Sequence, residues 1–332
     1  MKKKFVIILI LILLILTAIV YYFFYYNSKR CLDENEKVSY KGEEKENTLV
    51  DITVFINDKI TEKELSSFKI SDVYKNYHPI ELHTCGIYVI KFFNYTPKKS
   101  KQESGFRAEI WKYQYNGQGN NLLLLWKKNK DGSTTGDFSP DFRVDPNEHY
   151  VVLLKGYFGS SDYAIIIKDL KTLKDVFSLP MTEIEKQKPE LAQDIVFENW
   201  TKDSRYFWAN THAGANTLGF IRIDTQTWKF DLLSAPADVL GGDALNIENG
   251  YITIHPGNVW YGIDEPTNEE IARRKKQGIG TELYVENLFS GKRYLVDKTD
   301  EPLWYFKPQW ISDTELQYEM PNGEKRIYKI EE

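Results

Sequence analysis

Three residues between positions 78 and 85 carry side chains that bind metals. His83 and Cys85 are two positions apart, which would place both side chains on one face of a strand, and His78 precedes them. Imidazole and thiolate are both ligands for zinc. The sequence has no H-E-x-x-H motif and no pair of C-x-x-C motifs to support such a site. We therefore predict no metal site and expect ordinary structural roles for these side chains.

Dispersed acidic residues could support a different chemistry. Two carboxyl groups held about 5–10 Å apart can hydrolyse a glycosidic bond, one acting as the acid and the other as base or nucleophile. Only a fold that brings distant segments around one axis would pair such residues here. The dispersed acids are Asp145, Asp203, Asp243 and Asp264. Because any acidic surface spreads acids in this way, a carbohydrate-active enzyme is an alternative function and not the first.

Strands must position these side chains. After residue 48 the sequence consists mainly of short runs rich in Val, Ile, Tyr, Phe and Trp, most of them four to eight residues long, with turn residues between them. This pattern is typical of an all-β fold. The predicted strands are residues 49–56, 86–93, 109–115, 122–126, 150–154, 163–168, 205–208, 219–223, 251–255, 282–286, 315–318 and 326–330.

Two series of short motifs repeat along the chain. An aromatic residue with Asp three positions later begins at Phe138, Trp200 and Trp310, and the two tryptophans are 110 residues apart. A second series, which predicts hairpin turns capped by their first side chain, begins at Asp169 and recurs at Asp224 and Asn287, after 55 and 63 residues. A period of roughly 40–60 residues indicates a strand-rich blade repeated around an axis, a β-propeller. In this arrangement the aromatic residue packs between blades and the Asp tightens the following loop.

The segment W-T-K-D-S-R-Y-F, which begins at Trp200, resembles the blade signature of TolB-like and WD40-like propellers. The same signature occurs in the propeller domains of prolyl-oligopeptidase-type peptidases. F-S-P-D at Phe138 is similar to it, and W-I-S-D at Trp310 is similar to a degraded form. The resemblance extends over residues 80–332 and implies a fold, not an activity. Those peptidases add a catalytic domain with a G-x-S-x-G nucleophile elbow, a motif that this sequence lacks.

The spacing predicts about five blades, which start near residues 83, 138, 200, 245 and 310. A sixth blade would follow if residues 49–78 build more than one strand. The last unit is short of strands. We expect the alternating segment 49–56 to complete it and close the ring, which would remove an open sheet edge.

Loops with small and polar residues are the candidates for ligand contact. Residues 210–216 contain a glycine, so the backbone could approach a ligand closely, and residues 241–243 and 255–258 are similar. The candidate ligand-facing residues are Asn210, Thr211, His212, Asn216, Asp243, His255 and Asn258. No residue is assigned a catalytic or metal-binding role. Neither a Walker A motif nor a strand-linked G-x-G-x-x-G is present, so no cofactor is predicted.

Two insertions between the predicted strands are predicted to form short helices. T-N-E-E at Thr267 is a capping box, and a basic segment that ends at Gly278 follows it. Glu269–Arg273 and Glu270–Arg274 are spaced as favourable helical ion pairs. Residues 180–193 form a second charged and helical loop.

The first 30 residues predict a membrane anchor. Residues 5–26 hold no charge and no proline, and about 22 residues rising 1.5 Å each would span a hydrocarbon core of about 30 Å. Lys2, Lys3 and Lys4 precede this run, and six Tyr and Phe residues end it as an aromatic belt. A cleaved signal peptide, the alternative, would be shorter and end in small residues. The positive-inside rule places the N-terminus in the cytoplasm and the C-terminal domain outside.

The predicted organisation is therefore a cytoplasmic tip and transmembrane helix over residues 1–30, a charged stalk over 31–48 and the propeller over 49–332. Residues 1–30 hold five of the 43 basic residues and none of the 48 acidic ones, so the rest of the chain has 38 basic residues, 48 acidic ones and a net charge of −10. Such a surface repels nucleic acid. Two cysteines exclude a disulfide-dense fold, and a Cys31–Cys85 bridge stays open.

The sequence thus predicts a single-pass protein of the cell membrane whose extracytoplasmic propeller binds a protein, a peptide or an envelope polymer. The alternatives are a carbohydrate-active propeller enzyme and a structural subunit of an envelope complex. A pocket with two convergent carboxyl groups would favour the enzyme, and a large exposed apolar patch would favour the structural subunit.

Overall fold

The fold is known from a computed structural model of the 332-residue chain. The structure describes residues 37–45, 48–57, 62–74, 80–93, 107–115, 119–128, 134–214, 216–236, 244–256 and 267–330. It divides into two compact units, unit 1 up to Val144 and unit 2 from Asp145 onward. The predicted anchor lies outside the described residues. None of the helices in the described part of the chain has the length and apolar composition needed to cross a bilayer.

Unit 1 contains two antiparallel sheets in which neighbours in sequence are neighbours in space. The first sheet consists of β1 (Lys37–Lys45), β2 (Thr48–Asn57) and β3 (Glu62–Tyr74). The second sheet consists of β4 (Glu81–His83), β5 (Gly86–Phe93), β6 (Arg107–Tyr113), β7 (Gly119–Lys128) and β8 (Thr134–Thr135). The last element of unit 1 is β9 (Phe138–Val144).

The remaining four sheets are formed mainly by residues of unit 2. The third sheet consists of β9, β10 (Tyr150–Lys155), β11 (Ala164–Asp169) and β12 (Asp175–Pro180). The fourth consists of β13 (Asp194–Trp200), β14 (Tyr206–Ala213), β15 (Asn216–Asp224) and β16 (Lys229–Ser234). The fifth consists of β17 (Leu245–Asn246), β18 (Tyr251–Ile254), β19 (Thr281–Asn287) and β20 (Arg293–Thr299). The sixth consists of β21 (Gln309–Trp310), β22 (Glu315–Glu319) and β23 (Lys325–Lys329). The prediction of an all-β fold is confirmed.

Successive sheets of unit 2 pack face to face through apolar clusters. Val152, Ile165 and Ile167 of the third sheet share a buried cluster with Phe197, Phe207 and Ile221 of the fourth. Trp208 and Phe220 of the fourth sheet pack with Ile252 and Ile254 of the fifth. Leu283 and Val285 of the fifth pack with Leu316 and Tyr318 of the sixth. Each pair of successive sheets in unit 2 therefore buries the two faces between them.

Trp200 occupies the position predicted for it. Its side chain is 3% exposed and belongs to the cluster between the third and fourth sheets. Its ring centroid lies 5.0 Å from that of Phe207 in its own sheet and 6.4 Å from that of Tyr150 in the third sheet. The prediction that this aromatic residue packs between neighbouring blades is confirmed for the third and fourth sheets.

The second series of motifs also forms the predicted turns. Each turn joins the third and fourth strands of its sheet, and its first side chain accepts from backbone N–H groups. Asp169 Oδ1 accepts from Thr172 at 2.6 Å, Asp224 Oδ1 from Gln226 at 2.8 Å, and Asn287 Oδ1 from Ser290 at 2.9 Å. The fifth residue of each turn has a positive φ: 57° at Leu173, 52° at Trp228 and 67° at Gly291.

The aromatic motif at Phe138 lies elsewhere than predicted. Residues Phe138–Val144 form strand β9, and the turn after it is built by residues 145–149. This turn matches the one that follows Trp200, because Asp145 N donates to Tyr150 O at 3.1 Å and Thr201 N donates to Tyr206 O at 2.8 Å. The equivalent of Trp200 is therefore Val144. The two turns share a polar first residue, Asp145 or Thr201, and do not share a preceding aromatic residue.

The N-terminal segment differs from the prediction in two ways. Within the predicted stalk, Lys37–Lys45 forms strand β1 and pairs with β2, with Val38 opposite Ile56 and Tyr40 opposite Val54. Its charged composition gives no strand signal in the sequence, and the strand is evident only from this pairing. Segment 49–56 lies in β2, the central strand of the first sheet, so β1 and β3 occupy both of its edges. The prediction that this strand completes the last sheet is therefore wrong.

The predicted helices are present. α1 (Met181–Gln187) and a 3₁₀ turn (Pro189–Leu191) join the third and fourth sheets. α2 (Asn268–Gln277) begins after Thr267, whose Oγ1 accepts from Glu270 N at 3.2 Å, and ends at Gly278 with a φ of 66°. Arg273 and Arg274 both pair with Glu270, at 2.7 and 2.8 Å, so the predicted Glu270–Arg274 pair forms and Arg273 joins it. Cys85 is disulfide-bonded, and Cys31 lies outside the described residues.

Candidate binding surface at one edge of unit 2

The strands of each sheet in unit 2 have two different ends. In an antiparallel sheet of four strands, the turns between strands one and two and between strands three and four lie at one end of the strands. We call this end the turn edge; it carries residues 145–149, 201–205, 247–250 and 311–314. The hairpin between strands two and three lies at the opposite end, which we call the hairpin edge. It carries residues 156–163, the end of β14 and the start of β15.

Side chains tie the turn edge together from sheet to sheet. Asn147 N donates to Ser204 Oγ at 3.1 Å, Lys202 N to Glu248 Oε1 at 2.9 Å and Asn246 Nδ2 to Asp313 O at 2.9 Å, while Lys202 Nζ lies 2.5 Å from Asp313 Oδ1. These bonds connect the third, fourth, fifth and sixth sheets. The polar groups of the turn edge therefore serve the structure.

The dispersed carboxylates considered for hydrolysis also have structural roles where the structure describes them, because they accept hydrogen bonds within their own turns. Asp145 is fully buried, and its Oδ1 accepts from Tyr150 N at 2.5 Å. Asp203 Oδ1 accepts from Thr201 Oγ1 at 2.7 Å and from Arg205 N at 3.0 Å. The hydrogen bond from Thr201 holds the pKa of Asp203 below its usual range. Both residues cap turns. Asp243 and Asp264 lie outside the described residues.

The side chains considered as metal ligands are used locally. His83 Nε2 lies 3.3 Å from Glu81 Oε2, and Glu81 Oε2 also accepts from Val144 N at 2.7 Å. His78 lies outside the described residues. Among the residues that the structure describes, no three His, Cys, Asp or Glu side chains are grouped so as to hold a metal ion.

Most of the predicted loop at residues 210–216 belongs to two paired strands. Asn210, Thr211 and His212 belong to β14, and Asn216 begins β15. Thr211 is fully buried, whereas Asn210 and His212 are partly exposed and Asn216 is exposed. His255 is 3% exposed, with its ring near those of Tyr305 and Phe306 at 5.5 and 5.8 Å. Asp243 and Asn258 lie outside the described residues.

One face of β13 and β14 carries polar side chains at the hairpin edge. The register places Asp194 opposite His212 and Val196 opposite Asn210. Asn210 Nδ2 donates to Glu198 Oε1 at 2.5 Å, and His212 Nε2 lies 3.8 Å from Asp194 Oδ2. His212 Nδ1 is 2.8 Å from the carbonyl oxygen of Gly214, to which it donates. The structure therefore brings Asn210 and His212 together with carboxylates that the sequence analysis did not select.

Tyr163 and Asp194 are the main residues that the sequence analysis missed. Tyr163 is 2% exposed, and its hydroxyl donates to Asp194 Oδ1 at 2.8 Å and accepts from Ile195 N at 3.0 Å. Burial, and then the neighbouring Asp194, raise the pKa of the Tyr163 phenol. No sequence signal links these residues, because they lie 31 positions apart in different sheets.

The hairpin at residues 156–163 presents two aromatic side chains. Tyr157 is 74% exposed and Phe158 is 49% exposed. A turn holds them, since Ser160 N donates to Tyr157 O at 2.9 Å and Ser160 Oγ accepts from Tyr157 N at 3.2 Å. Gly156 and Gly159 take φ values of 72° and 89°, which favour glycine. The ring of Phe158 rests at 6.2 Å from that of Tyr163, edge to face.

Comparisons with known proteins find solved structures of similar fold but do not assign the chain to a family. No protein-family model matches the chain, and no curated protein sequence matches it. Solved structures similar to it include TolB from Acinetobacter baumannii, with 12% identity and a TM-score of 0.40 over 87% of this chain and 62% of that one. The oligogalacturonate lyase of Vibrio parahaemolyticus has 10% identity and a TM-score of 0.47 over 85% of this chain and 73% of the lyase.

The acylaminoacyl peptidase of Pyrococcus horikoshii is also similar, with 12% identity and a TM-score of 0.39 over 76% of this chain and 37% of the peptidase. The chain thus spans less than two thirds of the TolB structure and little more than a third of the peptidase. TolB and a peptidase are also the two kinds of protein whose blade signature the segment at Trp200 resembles.

Proposed function

We propose that this protein is a membrane-anchored, extracytoplasmic β-propeller of six blades that binds a protein, a peptide or an envelope polymer at its hairpin edge. The six antiparallel sheets of the described residues support this blade count. The anchor is inferred from residues 1–30, which combine three N-terminal lysines, an apolar run and an aromatic end.

The contrast between the two edges of unit 2 is the observation that carries the proposal. At the turn edge, hydrogen bonds join consecutive sheets and the carboxylates of Asp145 and Asp203 cap turns. At the hairpin edge, Tyr157 and Phe158 are exposed, the side chain of Asp194 is half exposed and that of His212 is partly exposed. Exposed aromatic side chains on a loop that the rest of the fold positions are typical of binding sites. Because Asp145 and Asp203 cap turns, a binding role is favoured over the carbohydrate-active alternative.

Site-specific photocrosslinking tests the binding role. A benzophenone amino acid placed at position 157 of the full-length chain in intact cells should give a discrete covalent adduct. The same probe at Ile327, an exposed position on the outer strand of the sixth sheet, or at Lys171 on the turn edge should not. Absence of an adduct at positions 157, 158 and 212 would contradict a binding role for the hairpin edge.

Protease access tests the topology. We expect protease added to cells with a permeable outer wall to remove the domain after residue 48, because the positively charged N-terminus favours the cytoplasm. A cytoplasmic protein should stay intact in the same sample as the control. Full protection of the domain would reverse the assigned orientation.

A further inference from the structure

The hairpin edge has the composition of a protein-recognition loop. Residues 156–163 read G-Y-F-G-S-S-D-Y. Tyrosine supplies a large contact area at low entropic cost, while serine and glycine supply adaptable polar contacts, as in antibody loops. Tyr157 is the most exposed large apolar side chain among the described residues. The hydrogen bonds of Ser160 already order the backbone of this hairpin, so binding a partner costs little further conformational entropy.

Acidic groups border the aromatic pair. Tyr163 connects the two features, since its ring contacts Phe158 at 6.2 Å and its hydroxyl donates to Asp194 at 2.8 Å. The Asp194 side chain is 50% exposed, and the imidazole of His212 lies 3.8 Å from it. Asp162 on the same hairpin is 43% exposed, with Lys155 Nζ at 3.9 Å. The border is therefore acidic on balance, in a chain whose residues 31–332 carry a net charge of −10.

We propose that Tyr157, Phe158, Asp162, Asp194 and His212 form a docking surface for a protein partner that presents an apolar side chain flanked by basic ones. This inference rests on the proposed function and specifies its partner. Tyr157 is the central anchor, because exposed aromatic residues carry most of the energy of such interfaces. The carboxylates of Asp162 and Asp194 select basic neighbours and speed the encounter through opposite charge.

Neutral polymers fit these residues less well. A neutral polysaccharide would stack on Tyr157 but gain nothing from the charge at Asp194, and its affinity would not depend on salt. An acidic polymer would be repelled by the carboxylates. A protein segment with both an apolar and a basic side chain uses all of the features observed.

Three synthetic peptides test the inference. Each has a central Phe, which is flanked by Arg in one peptide, by Gln in the second and by Glu in the third; a neutral glucose hexasaccharide is the fourth probe. Binding to the full-length chain in detergent micelles is measured by fluorescence anisotropy at two salt concentrations. We expect the Arg peptide to bind at least about tenfold more tightly than the other probes and to weaken as salt rises.

Two variants separate the anchor from the charge. Tyr157→Ala should weaken the Arg peptide about tenfold or more, because it removes the anchor from an exposed turn. Asp194→Asn keeps an acceptor for Tyr163 and removes the charge, so it should weaken binding and reduce the salt dependence. Ile327→Ala and Asp175→Asn are the matched controls, with side chains of comparable exposure on outer strands, and should leave the affinity unchanged.

The outcomes distinguish the inference from the proposed function. Equal affinity for the three peptides, preference for the Glu peptide or the hexasaccharide, no measurable binding of any probe, or an unaffected Tyr157→Ala variant would each overturn the basic, apolar partner. A crosslink at position 157 would still support a binding role in all these cases. Absence of a crosslink at positions 157, 158 and 212 overturns the proposed function itself.

Discussion

The hydroxyl of Tyr163 donates to the carboxylate of Asp194 at 2.8 Å, and this bond joins the hairpin of the third sheet to the first strand of the fourth. The same oxygen accepts from the N–H of Ile195 at 3.0 Å. A buried phenol that donates one hydrogen bond and accepts another can keep both bonds only while it is protonated. The stability of unit 2 should therefore depend on pH in the alkaline range.

Tyr163 should contribute stability that is lost as the pH rises. Its pKa is raised in the folded chain, first by burial and then by Asp194, above the value of about 10 expected in the unfolded chain. The contribution is therefore fully present below about pH 10 and decreases as the pH rises beyond that value. Tyr163→Phe should be less stable than the parent at pH 8 but should lose less stability between pH 9 and pH 11 in urea unfolding.

The control for this experiment is Tyr157→Phe, which alters an exposed phenol and leaves Tyr163 in place. It should keep the alkaline slope of the parent. An equally steep alkaline loss in Tyr163→Phe would show that the Tyr163–Asp194 bond does not govern this dependence.

Trp200 should be the most costly of the motif residues to truncate. It is 3% exposed and packs between Phe207 at 5.0 Å and Tyr150 at 6.4 Å, so Trp200→Ala would leave a large cavity between two sheets. We expect a loss of about 3–5 kcal/mol in the free energy of unfolding, measured with urea. Leu295→Ala, at a position 48% exposed, should change it by less than about 1 kcal/mol. A fully stable Trp200→Ala would contradict the packing between sheets.

Local chemistry explains which features could be predicted from the sequence. The turns at Asp169, Asp224 and Asn287 depend on a side chain that bonds its own neighbours, so the motif and the structure coincide. The motif at Phe138 was misplaced because the turn needs a polar first residue, Asp145 or Thr201, more than a preceding aromatic.

Non-local pairing explains what could not be predicted. β1 is charged, and only its pairing with β2 identifies it as a strand. In the candidate surface, Asn210 and His212 could be selected from composition, but Thr211 between them points into the core. Asp194 and Tyr163 come together only when the third and fourth sheets pack, so neither stands out in the sequence.

The fifth residue of the second turn series offers a reciprocal test of backbone strain. Leu173 adopts a φ of 57°, whereas the equivalent position in the fifth sheet is Gly291, with a φ of 67°. A side chain in this region costs roughly 1–2 kcal/mol, and glycine avoids that cost. Gly291→Ala should therefore destabilise the protein by about 1 kcal/mol, and Leu173→Gly should be neutral or stabilising, as measured by thermal unfolding. A stabilising Gly291→Ala would argue against strain at this position.

Thr211 and His212 are neighbours on β14 that should respond oppositely to mutation. Thr211 is fully buried, and its Oγ1 has no hydrogen-bond partner within the described residues, so Thr211→Val should raise the free energy of unfolding by about 1 kcal/mol and leave the crosslink at position 157 unchanged. The side chain of His212 is 27% exposed and lies beside Asp194. His212→Ala should therefore leave stability within about 1 kcal/mol of the parent and reduce that crosslink. Urea unfolding and adduct yield, measured on the same two variants, check both halves. A His212→Ala variant that unfolds early, or a Thr211→Val variant that loses the crosslink, would reverse the assignment of the two faces of this strand.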